Sequence, residues 1–290
     1  MNFIQDMLEA WLRDILMGGI LSNLTGLFDN VNTSVSDIAG QVGMTPQGWN
    51  AGIFNMIRNL SATVIVPIAG LILAFVMTME LINMIIEKNN LHGDVDTFAF
   101  FKWIFKTAAS VLILTNTWNI VMGIFGAAQS TVNSAAGIII SDANLNIDSV
   151  IGNLEGRLMD MGLGELFSLW LESSLVGITM SAINICIFVV CYGRMIEIYL
   201  VTSIAPIPMA TMLSHDAGNM GQNYLRSLFA LAFQAIMIIV CVAIYAVLVG
   251  SIGTMDNISS AIWTCVGYTV LLCFTLFKSS SLAKSVFSAH

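Results

Sequence analysis

Residues 60–79 read LSATVIVPIAGLILAFVMTM, and no charged residue lies between Arg58 and Glu80. A helix needs about 20 predominantly apolar residues to cross the hydrocarbon core of a bilayer. This stretch therefore predicts a membrane-spanning helix over residues 60–86. Pro67 lies inside it and lacks a backbone N–H, so we expect a kink there, with neighbouring helices satisfying the freed carbonyl.

Four further apolar runs follow the first one. The chain is 57% hydrophobic and only 10% charged, with a mean hydropathy of +0.85, whereas a soluble domain carries about 25% charged residues. Because so few charged residues cannot form a water-exposed surface for the whole chain, much of its surface must face lipid. We predict an all-α, polytopic helical membrane protein with about five transmembrane helices, the later four at 103–128, 170–192, 225–249 and 262–277.

The N-terminal segment, residues 1–56, is predicted to precede a transmembrane helical domain of residues 57–290. Apolar residues recur in pairs at helical spacing over residues 3–24, opposite an acidic face. This pattern predicts an amphipathic helix that packs on the bundle or lies in the membrane interface. Thr45 and Pro46 supply an N-cap and a first-turn proline, which predict the start of the next helix.

Two prolines interrupt the apolar segment 198–213. Pro206 and Pro208 each lack an N–H, and each disfavours helical geometry in the residue before it. The segment is therefore either a broken sixth span or a re-entrant segment that enters and leaves on one side.

The distribution of basic residues separates these two alternatives, because Lys and Arg near span ends accumulate in the cytoplasm. If residues 198–213 do not cross, seven basic residues are cytoplasmic and three are outside; a full crossing gives four and six. We therefore predict no crossing, with the N-terminal segment and the loop 141–168 extracytoplasmic, and the hairpin 87–96 and the C-terminus cytoplasmic. The seven are Lys88, Lys102, Lys106, Arg194, Arg226, Lys278 and Lys284.

Several polar side chains inside the apolar runs are candidates for contacts. Glu80 lies late in the first span, and we expect it to pair with Lys102 or Lys106. Arg194 and Glu197 are three residues apart, so they share a helical face on which they either pair or contact a partner subunit or cargo.

The second span is unusually polar. It carries Asn116 and Asn119, and small residues follow at four-residue spacing, at Gly126, Ser130 and Ser134. Small residues let helix backbones approach closely, and buried amides bond across helices. The two interpretations are tight helix packing and a pore-lining face.

No pattern in the sequence predicts catalysis or a cofactor. The five cysteines lie in apolar runs without a CxxC pair, and no Walker lysine motif, HExxH or nucleophile elbow occurs. We therefore predict a non-enzymatic protein with no catalytic residue, metal or cofactor. The histidines His92, His215 and His290 are isolated in sequence, and a net charge of −8 argues against a nucleic-acid binder.

The region 170–250 resembles a known family. Its motifs are Tyr192-Gly193-Arg194, Ile198-Tyr199-Leu200, Ala205-Pro206-Ile207-Pro208-Met209 and Gly221-Gln222-Asn223-Tyr224-Leu225-Arg226-Ser227-Leu228. Together they resemble the core of the TrbL-type inner-membrane subunit of type IV secretion and conjugation systems.

The resemblance implies a passive part of a translocation machine in the bacterial cytoplasmic membrane. Such subunits are similar to a channel base or pilus-assembly platform, form a homo-oligomeric ring, and depend on separate ATPases. Their cargo in conjugation is single-stranded DNA with attached protein, and membrane lipid surrounds them. The candidate partner or channel contacts are Arg194, Glu197, Pro206, Pro208, Tyr224, Arg226, Asn116, Asn119 and Glu80.

A secondary transporter or small-solute channel is the alternative function. The broken Pro-containing segment and the polar second span favour it, because transporters build sites from discontinuous helices at the midplane. No convincing inverted repeat relates the two halves, and few intramembrane acids are present to couple ions.

Overall fold

The computed structural model describes residues 2–89, 97–143, 147–255 and 257–289. Within these ranges the chain forms helices and no strand. Five helical segments are long and apolar enough to cross a membrane, which confirms the predicted all-α, polytopic fold. They are Ala51–Ile86, Phe98–Thr115, Leu163–Ser203, Gly218–Gly250 and Ile258–Val286.

The chain folds into two compact units, and several helices contribute residues to both. The first unit comprises Met1–Gly43, Val132–Cys191 and Ile236–Ser279, and the second comprises Met44–Thr131, Tyr192–Ala235 and Ser280–His290.

In the first unit, helix α1 (Asn2–Val42) is continuous and extends well beyond the predicted helix of residues 3–24. Its apolar face is buried from Leu16 onward. The Asn23 amide donates to the hydroxyls of Ser173 and Ser174 at 3.0 and 3.1 Å. These bonds hold α1 by polar contacts as well as by apolar packing.

The first residues of α1 present an exposed apolar surface. Large apolar side chains there are 41 to 69% exposed, and they are Ile4, Met7, Leu8, Trp11, Leu12 and Ile15. The predicted amphipathic pattern is therefore present at this end, but its apolar side is not packed on the first unit.

The stretch predicted as a loop, residues 141–168, contains helix α7 (Ile147–Met159) and the start of a long helix, α8 (Leu163–Ser203). Helix α7 packs on α1. A helix of 41 residues is about 60 Å long, roughly twice the thickness of the hydrocarbon core. Part of α8 must therefore lie outside the membrane.

The second unit opens with the predicted start signal. The Thr45 hydroxyl accepts from the Gly48 N–H at 3.0 Å and caps α2 (Pro46–Trp49). This helix lasts only one turn, because Asn50 is extended and caps the next helix, α3 (Ala51–Leu60).

The first span continues from α3 through a π-helical turn, Ser61–Ile65, into α4 (Val66–Asn89). The turn closes with the Val66 N–H bonded to the Ser61 carbonyl, one residue before Pro67. The predicted irregularity thus takes the form of a widened turn beside the proline. Residues 90–96 of the predicted hairpin lie outside the described residues.

The predicted second span, residues 103–128, was placed wrongly. The span is α5 (Thr97–Thr115), and a separate helix, α6 (Thr117–Ala143), follows it. The Asn116 N–H bonds the Leu112 carbonyl, and the Ile120 N–H bonds the Asn116 carbonyl. Helical hydrogen bonding therefore continues past Asn116, so the chain does not turn back there although the regular helix is interrupted. Threonine and asparagine side chains that bond nearby carbonyls disturb helices at such positions.

The Pro-containing segment is short and irregular. Helix α8 includes Ile198 and ends at Ser203, and a turn leads to α9 (Pro206–Thr211) before α10 (Gly218–Gly250) begins. A helix of six residues spans about 9 Å, which is too short to cross the hydrocarbon core. The last helix, α11 (Ile258–Val286), follows a 3₁₀ turn, Ser251–Thr254.

Candidate functional site

Helix α9 is buried in the second unit, where it packs on α4 and α5. Pro206 occupies its first turn, and both Pro206 and Pro208 are buried. Gly221 of α10 lies against it so closely that an added Cβ would stand 2.6 Å from Met212 Cα and 2.7 Å from the Pro208 carbonyl oxygen. Only glycine permits this approach of two backbones.

Arg194 and Tyr224 join α8 to α10. Arg194 is only 7% exposed, and its Nη2 donates to the Leu231 carbonyl at 3.4 Å. The Tyr224 hydroxyl donates to the Val201 carbonyl at 3.1 Å. Both side chains, which we predicted as partner or channel contacts, thus act within the second unit by satisfying backbone carbonyls of the neighbouring helix.

Tyr199 is a structural residue that the sequence analysis named only within the motif Ile198-Tyr199-Leu200 and not as a candidate contact. Its side chain is buried, and its hydroxyl donates to the Pro46 carbonyl at 2.5 Å. Its ring lies 5.8 Å from that of Trp49, which also meets Tyr192 edge-on at 5.3 Å. The sequence shows that Pro46 starts a helix and that Tyr199 is aromatic, but it does not show that the two residues are in contact. That contact is visible only in the fold.

The two remaining charged residues near the α8–α10 link are more accessible. Glu197 lies 3.4 Å from Lys284 Nζ, and the two side chains are 37 and 43% exposed. Such a surface pair contributes little to stability. Arg226 is exposed on α10.

A charged cleft of about 310 Å³ opens between the end of α4, the start of α5 and the link before α10. Lys106 Nζ lies 2.7 Å from Glu80 Oε1, so of the two lysines predicted as partners Lys106 is the one that pairs. The backbone N–H of His215 donates to the same carboxylate. Residues lining the charged cleft are Glu80, Asn83, Met84, Ala99, Lys102, Trp103, Lys106, His215 and Asp216.

This cleft fixes which parts of the second unit share one end of the spans. Glu80 lies six residues before the end of the first span, about 9 Å along the helix axis. Because His215 contacts it, the link between α9 and α10 lies at the same end as the α4–α5 connection. Tyr199 bonds the Pro46 and Asn50 carbonyls, which precede the start of the first span. Residues 199–215 therefore run from one end of that span to near the other, and the structure does not support the predicted re-entrant course.

Helix α6 exposes a different kind of surface from the spans. Exposed residues at helical spacing form the α6 polar face, which consists of Asn116, Asn119, Gly123, Ala127, Ser130, Ser134 and Gly137. Over residues 117–137 no large apolar side chain is exposed, whereas α5 exposes Phe98, Phe101 and Phe105 at 63 to 77%. The two asparagines predicted as channel contacts lie on this face.

The described residues contain no group of three or more His, Cys, Asp or Glu side chains placed to hold a metal ion. The five cysteines are free thiols.

The family described as TrbL/VirB6 plasmid conjugal transfer like protein matches residues 31–206. The chain belongs to this family. The family predicted from the resemblance is thereby confirmed, although the motif at residues 221–228 lies beyond the matched residues. Comparison with curated proteins and with solved structures finds no match to the chain.

The matched residues of this TrbL/VirB6 protein run from the second half of α1 to the first residue of α9. They include Glu80, Asn116, Asn119, Arg194, Glu197 and Pro206, whereas Pro208, Tyr224 and Arg226 lie beyond them. Membership makes the chain a multi-pass membrane component of a conjugal transfer or type IV secretion system.

Proposed function

We propose that this TrbL/VirB6 protein is a non-enzymatic channel or scaffold subunit of a type IV secretion machine, and that it assembles as a homo-oligomeric ring in the bacterial cytoplasmic membrane. The observation that carries the assembly part of the proposal is the α6 polar face. The family match supports the assignment of the chain to a type IV secretion machine.

The α6 polar face is unsuited to lipid. Exposed amide groups in hydrocarbon cost several kcal/mol where they lack partners. Asn119 is exposed, and Asn116 is exposed although its amide N–H₂ donates to the Leu112 carbonyl. The face must therefore meet water or another protein. Its glycine, alanine and serine residues permit a close approach of helix backbones, which favours packing against a second copy beside the transport path.

The proposed orientation has the N-terminus outside and the C-terminus in the cytoplasm. The basic residues of the α4–α5 connection favour a cytoplasmic position for that end of the spans. The contact of His215 with Glu80 supports the same side for the α9–α10 link. We assign the C-terminus to the cytoplasm from the basic residues Lys278 and Lys284.

The remaining partners follow from the proposed role. The described chain offers no nucleotide-binding loop motif, so we assign the energy for transport to separate ATPases of the machine. We assign single-stranded DNA with attached protein as the cargo in transit, which would pass along the assembled ring.

Cysteine cross-linking tests the assembly. In a variant whose five cysteines are replaced by serine, Asn119→Cys is expected to give a cross-linked dimer in native membranes. Phe105→Cys, on the apolar side of α5 and 77% exposed, is the matched control and is expected to give none.

Particle mass in mild detergent provides the second readout, and several copies per particle are expected. A monomeric particle together with absent cross-links at Asn119 would contradict the ring. Saturable solute uptake by the purified chain in liposomes would instead support the transporter alternative.

A further inference from the structure

The charged cleft lies between the end of α4, the start of α5 and the link before α10. Its walls are fixed by three contacts within the second unit. The Trp103 indole Nε1 donates to the Met77 carbonyl at 3.0 Å, Lys106 pairs with Glu80, and the His215 backbone N–H bonds the same carboxylate. The cleft is therefore a built cavity, at the small end of the usual range for ligand sites of about 300–1,000 Å³.

The charged side chains that line the cleft differ in whether they have a partner. Glu80 is paired with Lys106. The Asp216 carboxylate also lines the cleft, is 70% exposed and lies 2.9 Å from His215 Nδ1, a contact that is an ion pair only when the imidazole is protonated. Lys102 forms no ion pair or hydrogen bond with any residue that the structure describes, and the same holds for the Asn83 amide. An ammonium group and an amide N–H₂ thus remain as donors, which suits an anion.

The position of the cleft indicates where this anion comes from. Lys102 lies four residues into the second span, about 6 Å from its start, and so close to one end of that apolar helix. Around it, α4 and α5 expose apolar side chains on which acyl chains can lie, namely Ile82, Ile85, Ile86, Phe98, Phe101 and Phe105. Basic pockets between membrane helices bind anionic headgroups.

We propose that the charged cleft binds the phosphate of an anionic phospholipid, with Lys102 Nζ and the Asn83 amide as its donors. The phosphate replaces the missing counter-charge of Lys102, and the acyl chains lie on the exposed phenylalanines of α5. Occupancy joins α4 to α5 at the membrane surface beside the α9–α10 link.

Native mass spectrometry of the full-length protein in detergent tests the site, with phosphatidylglycerol and phosphatidylcholine as probes. The wild type is expected to retain one phosphatidylglycerol more tightly than phosphatidylcholine. Lys102→Gln removes the charge and is expected to weaken this binding about tenfold, as loss of one charge-assisted bond to phosphate does. Lys278→Gln, an exposed lysine of α11 that does not line the cleft, is the matched control and is expected to bind as the wild type does.

Three results would overturn the proposal. The first is equal retention of the two lipids by the wild type, and the second is unchanged binding in Lys102→Gln. The third is Lys102-dependent binding of glycerol 3-phosphate that displaces the lipid, which would assign the cleft to a soluble phosphate. Gel filtration and circular dichroism check the fold of each variant, and Asn83→Ala, expected to weaken binding less, repeats the test if Lys102→Gln misfolds.

Discussion

Replacing Gly221 by alanine perturbs the closest backbone contact of the Pro-containing segment. The new Cβ would stand 2.6 Å from Met212 Cα and 2.7 Å from the Pro208 carbonyl oxygen. Carbon atoms at optimal separation are about 3.5–4.0 Å apart, so α10 must shift by about 1 Å from the segment that holds α9. Because both obstacles belong to the backbone, no side-chain rotation relieves the clash.

The expected loss of stability is at the upper end of the range for overpacking, about 3 kcal/mol. Gly221→Ala also removes the flexibility of a helical glycine, which returns about 0.5–1 kcal/mol. A net loss of about 2 kcal/mol remains, which lowers the Tm by about 4–8 °C at 2–4 °C per kcal/mol. Thermal denaturation followed by gel filtration in detergent measures this shift.

Gly193→Ala is the matched control, because Gly193 lies on α8 in the same unit and a Cβ there meets nothing within 4 Å. The substitution is expected to leave the Tm unchanged or to raise it slightly. Equal Tm values for the two variants would refute the close packing of α10 on the Pro-containing segment.

Two further substitutions test contacts in the second unit. Glu80→Ala removes the partner of Lys106 and the acceptor of the His215 N–H. It is expected to lower the free energy of unfolding by about 1–3 kcal/mol, which is measured as a fall in Tm. Asp37→Ala, which replaces an exposed acid of α1, is the control and is expected to change the Tm little; equal shifts would contradict the role of the ion pair. Tyr199→Phe leaves the Pro46 carbonyl without its buried donor and is expected to lower the free energy of unfolding by about 1–3 kcal/mol. Tyr268→Phe on α11 is the control. A Tyr199→Phe protein as stable as this control would show that the hydrogen bond does not stabilise the fold.

The spans could be predicted from the sequence because a lipid environment demands long apolar runs. Residues 60–86 and 225–249 lie within observed helices, Ala51–Ile86 and Gly218–Gly250. The end of the second span could not be found this way, because the apolar composition continues past Asn116. The interruption there depends on how side chains such as Thr115 and Asn116 bond carbonyls of the preceding turn.

The site was predictable to a similar extent. Glu80 required a partner because an acid near hydrocarbon is costly, and the lysines of the next span were the nearest candidates. The second bond to Glu80 comes from His215, 135 residues away. Contacts of this kind depend on how α9 packs. The two closely spaced prolines predict an irregular segment there, but they do not predict the direction in which it runs.

The side of the membrane on which each loop lies remains a prediction, and cysteine labelling can test it. Cysteines introduced at the more accessible positions Glu197 and Asp216 in the cysteine-free variant report the side of each position by labelling in intact cells. Labelling of Asp216 only after the cells are opened is expected for the proposed cytoplasmic end, and its labelling in intact cells would contradict it. Labelling of both positions from the same face would support the re-entrant course.

The most direct measurement of the central assignment is conjugal DNA transfer from donors in which the gene for this chain is deleted. Transfer is expected to fall to background, and the wild-type chain supplied from a plasmid is expected to restore it. Transfer that continues at the wild-type rate without the chain would contradict its assignment to the conjugation machine.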